Sequence, residues 1–267
     1  MTAPHPSGRW AVVTGASAGL GADFARQLAG AGHPVVLAAR REDRLAARAA
    51  ELVAAFGVET LVVPVDLAQA QGPAELYERA TSDGRQIGVL VNNAGFGTVG
   101  PHLSTDRDRQ RMMLDLNVTA LTDLTHRFAN HMVGHGAPSH IVNIASVASF
   151  QPIPNMAVYA ASKAYVRDFS QALAMELGAS NVAVTCVHPG GTSTEFGAVA
   201  GMTIEGAAQA TMMASEDVVR IALSGMRRRR VHVVTGWMNR LMTWVVALSP
   251  RAISGRVAGW MMGRLRT

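Results

Sequence analysis

The sequence predicts an α/β fold: a single doubly wound parallel sheet of about seven strands with helices on both faces. Three observations lead there. Short apolar, β-branched runs alternate with longer helix-patterned stretches, which is the pattern of βαβ units. Runs such as Leu61-Val62-Val63 and Val89-Leu90-Val91 are apolar without alternation, as strands buried on both faces must be. No fixed-period repeat and no Gly/Ser or Pro linker divides the 267 residues.

The strand candidates are 10–14, 35–39, 60–65, 89–92, 140–144, 183–188 and 231–234. Helix candidates between them include 19–31, 41–56, 73–81, 107–131 and 159–176. In such sheets ligands sit beyond the carboxyl ends of the strands, where strand order reverses. The residues that follow each strand therefore carry the functional signal.

Apolar residues make up 49% of the chain, enough for a large core and unlike a disordered protein. The single cysteine, Cys186, excludes an intrachain disulfide and agrees with a reducing compartment; inside a strand candidate it reads as core. Residues 1–10 lack the basic and apolar regions of a signal peptide. No charge-free apolar run reaches the roughly 20 residues of a spanning helix. The expected location is cytoplasmic.

The net charge of +5 is unevenly placed. From Met226 to Thr267 there are nine arginines and no Asp or Glu, which leaves fifteen basic against nineteen acidic groups elsewhere. An acidic body with a basic tail is not a nucleic-acid binder, whose basic residues line one face of the fold.

The first strand candidate ends in Thr14-Gly15-Ala16-Ser17-Ala18-Gly19-Leu20-Gly21, and a helix follows. Glycines permit a tight turn and let backbone N–H groups approach a pyrophosphate, while the helix N-terminus adds partial positive charge. Ser17 can donate to a phosphate as well. The alternative for a glycine-rich turn alone is an ordinary strand–helix turn; its position after the first strand and before a helix favours the dinucleotide reading. The second strand runs into Arg40-Arg41. NAD sites place an acid there for the ribose 2′-hydroxyl, whereas arginine accommodates a 2′-phosphate, so Arg40 predicts NADP(H). The alternative is that both arginines are solvated first-turn residues beside Glu42 and Asp43.

Further along, the ordered motifs Asp66-Leu67, Asn92-Asn93-Ala94-Gly95, Asn117, Ser146, Tyr159-Ala-Ala-Ser-Lys163 and Pro189-Gly190 follow the glycine turn. Over most of 10–196 the chain thereby resembles the short-chain dehydrogenase/reductase family. The resemblance implies that Asp66 and Leu67 lie against an adenine and that Asn93, Ala94 and Gly95 line the cofactor cleft. It implies that Pro189, Gly190, Thr192 and Thr194 hold the nicotinamide carboxamide and cover the phosphates. It makes Asn117, Ser146, Tyr159 and Lys163 the catalytic set, with Asn117 holding a water that links the lysine to solvent and Lys163 bonding the nicotinamide ribose. Dimers or tetramers are common in the family, so a homo-oligomer is expected.

The residues support this chemistry on their own terms. Tyr159 and Lys163 stand four apart and share one helical face. A free tyrosine, with a pKa of about 10, is a poor base at neutral pH. A nearby ammonium stabilises the phenolate, so Tyr159 is expected to shift down toward a useful acid/base range. Ser146, just after a strand, can donate to a substrate oxygen as negative charge develops there. Singly, each residue also has an ordinary reading, as surface pair, cap or buried polar group.

The substrate wall is read as Phe96, Phe150, Ile153, Pro154, Met156, Phe196, Val199, Met202 and Ile204, which suggests a hydrophobic ketone, a sterol-like molecule or a 3-oxoacyl chain. Gly191, where many family members carry a larger residue, is expected to loosen its loop, and His188 to end its strand or add a polar wall. Domain division falls between a catalytic body, 1–236, and a basic amphipathic extension, 237–267. The extension reads as one or two amphipathic helices, and three roles stay open: peripheral contact with an anionic membrane, a subunit interface, or a cover for the substrate pocket. Arg227–Arg230 read as a solvated helix end. His131 and His135 have metal-ligand spacing without an acidic partner, and Gly134 and Gly136 count against a regular helix there, so no metal is expected.

The leading function is thus an NADP(H)-dependent carbonyl reductase of a small hydrophobic substrate. The rivals are an oxidative alcohol dehydrogenase and a non-catalytic, membrane-associated cofactor-binding scaffold.

Overall fold

The computed structural model describes residues 8–193, 197, 200 and 212–262. Its strands are β1 (Trp10–Thr14), β2 (Val35–Ala39), β3 (Thr60–Pro64), β4 (Ile87–Asn92), β5 (Ser139–Ile144), β6 (Val182–His188), β7 (Thr192–Ser193), β8 (Met213–Ala214) and β9 (His232–Val234). Seven form one parallel sheet in the order β3-β2-β1-β4-β5-β6-β9. The short β7 and β8 pair separately. The sheet order reverses between β1 and β4, which fixes the topological switch point.

Alternate residues of each strand feed two cores, as the two-residue period of a strand requires. On one face Val13, Leu37, Val91 and Val187 pack beneath α1 (Gly19–Gly30), α2 (Glu42–Phe56) and α7 (Ser215–Arg227). On the other, Val12, Val36, Leu90 and Ile141 meet α3 (Gly72–Thr81) and α5 (Leu121–His135). Phe24 and Phe128 anchor the two layers with no exposed surface. Burial of such a side chain contributes about 1.5–3 kcal/mol relative to exposure.

The long helix expected over 107–131 differs in two ways. It comprises α4 (Arg107–Leu114) and α5 joined by a π-helical segment, Asp115–Ala120, and it continues through His135. The expectation that Gly134 and Gly136 would prevent a helix there is corrected: Gly134 is accommodated, and Gly136 supplies the left-handed C-cap at φ 67°. The histidines answer the backbone of Ile87 instead. His131 Nε2 accepts from its N–H at 3.1 Å, and His135 Nε2 donates to its carbonyl at 3.1 Å. They clip the first residue of β4 to α5.

His188 ends β6 as expected, yet it is fully buried. His232 Nε2 donates to Gln171 Oε1 at 2.7 Å, which leaves its Nδ1 to accept from His188 Nε2 at 3.0 Å. His188 Nδ1 then accepts the Ser149 hydroxyl at 3.1 Å. Burial, reinforced by His232, holds the His188 pKa down at about 3. In the unfolded chain it protonates near pH 6.5, so the unfolded state binds the extra proton between those values. The contribution of His188 to stability is therefore complete above about pH 6.5 and is lost as pH falls toward 3. Melting temperatures measured from neutral pH downward should fall less steeply for His188→Asn than for the parent chain. Equal slopes would assign the acid sensitivity to another group.

Candidate active site

Six loops converge beyond the carboxyl ends of the parallel strands, and the site begins at the switch point. Thr14, at the end of β1, is 1% exposed, and its Oγ1 donates to the Val91 carbonyl at 3.1 Å. The same oxygen accepts from the N–H groups of Asn93 and Ala94, each at 3.0 Å. Asn93 Nδ2 returns a bond to the Thr14 carbonyl at 2.9 Å. The glycine turn is thus stapled to the strand end that carries Asn93, Ala94 and Gly95.

Within the turn, Gly15 and Gly19 have φ values of 67° and 54°, a region glycine occupies without strain. A side chain on Gly21 would begin 2.2 Å from the Gly15 carbonyl, so the helix start can approach the turn only with glycine there. Helix α1 begins without a side-chain cap at Ala18 and without an acid in its first turn, while Leu20 leans on the core. By contrast α2 opens with Glu42 and Asp43, and α4 is capped by Asp106. Uncapped N–H donors and an uncompensated dipole suit a pyrophosphate. The residues therefore fit a dinucleotide.

Two arginines stand at the end of β2 beside this turn. Arg40 is exposed at the end of β2, and Arg41 reaches Ser17 Oγ at 3.1 Å. A cleft of about 540 Å³ beside Ser17 and Gly19 is lined by Arg44 and Arg48 and equally by Asp23 and Glu51, the last paired with Arg48. The preference for Arg40 alone overlooked Arg41, whose side chain is the one that touches the turn. Asp66 accepts from the Ala68 N–H at 3.1 Å, and Leu67 is buried behind it. Both follow β3 on the same edge.

Across the switch point lies the second group of residues. Ser146 follows β5 in extended backbone, and its Oγ accepts from the Ala148 N–H at 3.1 Å. That leaves the hydroxyl proton for Tyr159, with which it is hydrogen-bonded. Tyr159 and Lys163 share the inner face of α6 (Ala157–Glu176), and Lys163 Nζ lies 6.0 Å from the phenol ring centroid. The amine donates to the Ile144 carbonyl at 2.8 Å.

Burial governs both groups. It pushes the Tyr159 pKa up to about 12, a rise that the Ser146 bond only moderates, and brings Lys163 down to about 8. The expected downward shift of Tyr159 by the ammonium is thereby corrected for the protein alone. Desolvation outweighs a cation that is itself desolvated and bonded elsewhere.

Asn117 is 1% exposed in the π segment. Its Oδ1 accepts from the Phe96 N–H at 3.1 Å, and its Nδ2 donates to the Phe96 carbonyl at 2.9 Å and to Ser162 Oγ at 3.2 Å. The side chain thus clamps the loop after Gly95. A side chain on Gly95 would start 2.8 Å from Asn117 Oδ1 and 3.4 Å from Lys163 Nζ. Gly95, Asn117 and Lys163 therefore meet at one point.

Pro189 is buried, and its carbonyl accepts from the Val147 N–H at 2.9 Å, tying the loop after β6 to the residue that follows Ser146. Thr192 Oγ1 donates to the Gly190 carbonyl at 3.1 Å. Thr194, Phe196, Val199, Met202 and Ile204 lie outside the described residues. Phe96, Ile153 and Met156 pack around Tyr159 together with Met113 and Val99, which the sequence reading missed. Phe150 instead faces His188, at 4.8 Å between ring centroids. Pro154 sits beneath Gly259 of the extension.

Residues 9–205 match the family profile described as short chain dehydrogenase. Sulfoacetaldehyde reductase 2 of Chromohalobacter salexigens is 36% identical over 187 residues, which covers 69% of this chain and 73% of that one. A very-long-chain 3-oxoacyl-CoA reductase of Laccaria bicolor is 37% identical over 66% of this chain, which spans only 53% of that enzyme's length. A short-chain dehydrogenase from Sphingobium yanoikuyae, solved in complex with NADPH, superposes with a TM-score of 0.80 at 33% identity. That match covers 91% of this chain and 97% of that one.

Gly21→Ala should weaken NADPH binding by at least about tenfold in a fluorescence titration without altering far-UV circular dichroism, because it displaces the turn from the pyrophosphate. Gly191→Ala is the matched control: its added carbon would lie 3.5 Å from Cγ and 3.9 Å from Cε of Met212, ordinary contact distances, and affinity should hold. The chain is an NAD(P)-dependent oxidoreductase acting on carbonyl/alcohol pairs, and it belongs to the short-chain dehydrogenase family.

Proposed function

We propose that this enzyme is an NADP(H)-dependent reductase of hydrophobic carbonyl compounds. The observation that carries this reading is the buried Tyr159–Lys163 pair with the half-buried Ser146 beside it, across the switch point from an uncapped, arginine-flanked helix start. We assign catalysis to residues 1–236 and treat 237–267 as an extension. Arg40, with Arg41 beside it, would take the 2′-phosphate, which favours NADP(H) over NAD(H). Gly15, Ser17, Gly19 and Gly21 would hold the pyrophosphate, and Pro189, Gly190, Thr192 and Thr194 the nicotinamide end.

When bound, the nicotinamide supplies the hydride. Tyr159 gives its phenolic proton to the substrate oxygen as negative charge accumulates there. A phenol with a pKa of about 12 is fully protonated at neutral pH, which suits an acid in the reductive direction. Ser146 donates its hydroxyl proton to the same oxygen. Lys163, desolvated but still cationic near neutral pH, would stabilise the phenolate left behind and bond the nicotinamide ribose. Asn117 keeps the Phe96 loop, and hence Gly95, against the lysine.

The apolar cluster of Phe96, Val99, Met113, Ile153 and Met156 around Tyr159 favours a ketone, sterol-like or 3-oxoacyl substrate. Family habit supports a homo-oligomer, and the single reduced-type cysteine a cytoplasmic location, with the basic extension as a peripheral contact to membrane.

Tyr159→Phe should lower NADPH-dependent turnover of bulky ketones by about 10²–10⁴-fold with cofactor affinity retained. Cofactor binding with turnover that ignores the substitution would identify a scaffold. Replacing Arg40 and Arg41 together by alanine should raise KM for NADPH by about tenfold or more and leave KM for NADH nearly unchanged. An equal change for both cofactors would remove the 2′-phosphate assignment.

A further inference from the structure

Two helices follow the sheet, α8 (Trp237–Leu248) and α9 (Arg251–Met262), and both are turned inside out. A surface helix ordinarily buries its large apolar residues, as α7 does with Val218, Val219, Leu223 and Met226. In α8 the inward positions are Asn239 and Thr243, whereas Trp237, Leu241, Trp244 and Leu248 are 75%, 59%, 70% and 81% exposed. These four recur at helical spacing and form one stripe. In α9 the inward residues are small: Ser254, Gly255, Ala258 and Gly259. Ile253, Val257 and Trp260 face out, each more than half exposed.

The small face of α9 has a clear purpose. Side chains on Gly255 and Gly259 would begin 3.0 Å from Pro152 Cγ and Pro154 Cγ, so glycine lets the helix lie directly on the loop before α6. Helix α8 packs on the turn Val147–Phe150, and Asn239 fills the space beside Gly190. The pair therefore borders the loops that carry Ser146, Tyr159 and the nicotinamide end, with its large apolar residues pointing away from the protein.

We propose that α8 and α9 dock the enzyme on an anionic lipid bilayer, and that a lipophilic carbonyl substrate reaches the site from that membrane. Among the described residues no helix is long and apolar enough to span a bilayer, so the contact is interfacial. Charge selects the occupant. Arg240 and Arg256 are exposed beside the apolar stripes, and the two helices together hold three arginines, Arg240, Arg251 and Arg256, without an acid. A second copy would set arginine against arginine, whereas acidic headgroups above an acyl layer complement both the cations and the apolar stripes. Interfacial tryptophans, here Trp237, Trp244 and Trp260, suit the boundary between headgroup and acyl chain.

The substrate half depends on the hydrophobic-carbonyl reading of the site; the docking half does not. The test uses the full chain and the double substitution Leu241→Glu with Trp244→Glu, both at exposed positions whose change leaves the core untouched. The parent should float with phosphatidylcholine vesicles containing phosphatidylglycerol, less with phosphatidylcholine alone, and less in high salt, with blue-shifted tryptophan emission. The double variant should stay at the bottom of the gradient. It should also lose at least about tenfold in turnover of a vesicle-embedded ketone while turning over a water-soluble ketone like the parent. A parent that does not float, or a variant that floats equally, overturns the docking. Sedimentation showing a dimer that the variant disrupts, without flotation of the parent, would give the face to a second copy and overturn it too. Flotation with no ketone turnover by either protein would overturn the reductase reading and leave the docking standing.

Discussion

The bond network around Thr14 is the constraint on which the site depends. One hydroxyl, withdrawn from water, donates to one strand and accepts from two consecutive backbone N–H groups of the loop after it. A typical buried hydrogen bond contributes about 1 kcal/mol net, but leaving these groups unpaired would cost more. The network holds the ends of β1 and β4 together where the sheet reverses direction, so the phosphate turn and the Asn93–Gly95 loop cannot drift apart. Every other functional loop is positioned relative to that pair by parallel pairing, with β5 and β6 in continuous register beyond β4.

A second theme is the control of charge by exclusion of water. Tyr159, Lys163, Cys186 and His188 all sit in or beside the same interior, and in each burial is the largest influence on the proton. Tyr159 and Cys186 are both pushed up to about 12 and stay neutral. His188 stays neutral from the opposite direction. Only Lys163 is left close to neutrality, with its amine held by a backbone carbonyl. The chemistry is therefore staged beside a lysine whose cost of ionisation has been raised by burial.

Much of this was legible in the chain. Val12, Leu90 and their neighbours form continuous apolar runs because both faces of the sheet are covered, and the seven strands follow from those runs. The glycine turn was legible because Gly15, Gly19 and Gly21 answer local steric demands that act within a few residues. Tyr159 and Lys163 were legible because a helix repeats every 3.6 residues. The π segment at Asp115–Ala120 was not: it changes the helix by less than the pattern can resolve, and the clamp it carries, from Asn117 to Phe96, spans 21 residues. The helix through Gly134 was misread for a similar reason, since the Ile87 backbone that binds His131 and His135 is distant in sequence.

The sequence by itself therefore determined the sheet, its two covered faces, the phosphate turn and the pairing of phenol with amine, because each rests on short-range periodicity or sterics. Tertiary structure alone decided how strongly those groups hold their protons, since desolvation depends on everything packed around them. It also decided the orientation of the last two helices. Periodicity could show that α8 and α9 have an apolar stripe, but an amphipathic pattern carries no sign for inside and outside. Only the seating of Asn239 beside Gly190, and of Gly255 and Gly259 on Pro152 and Pro154, turns those stripes outward.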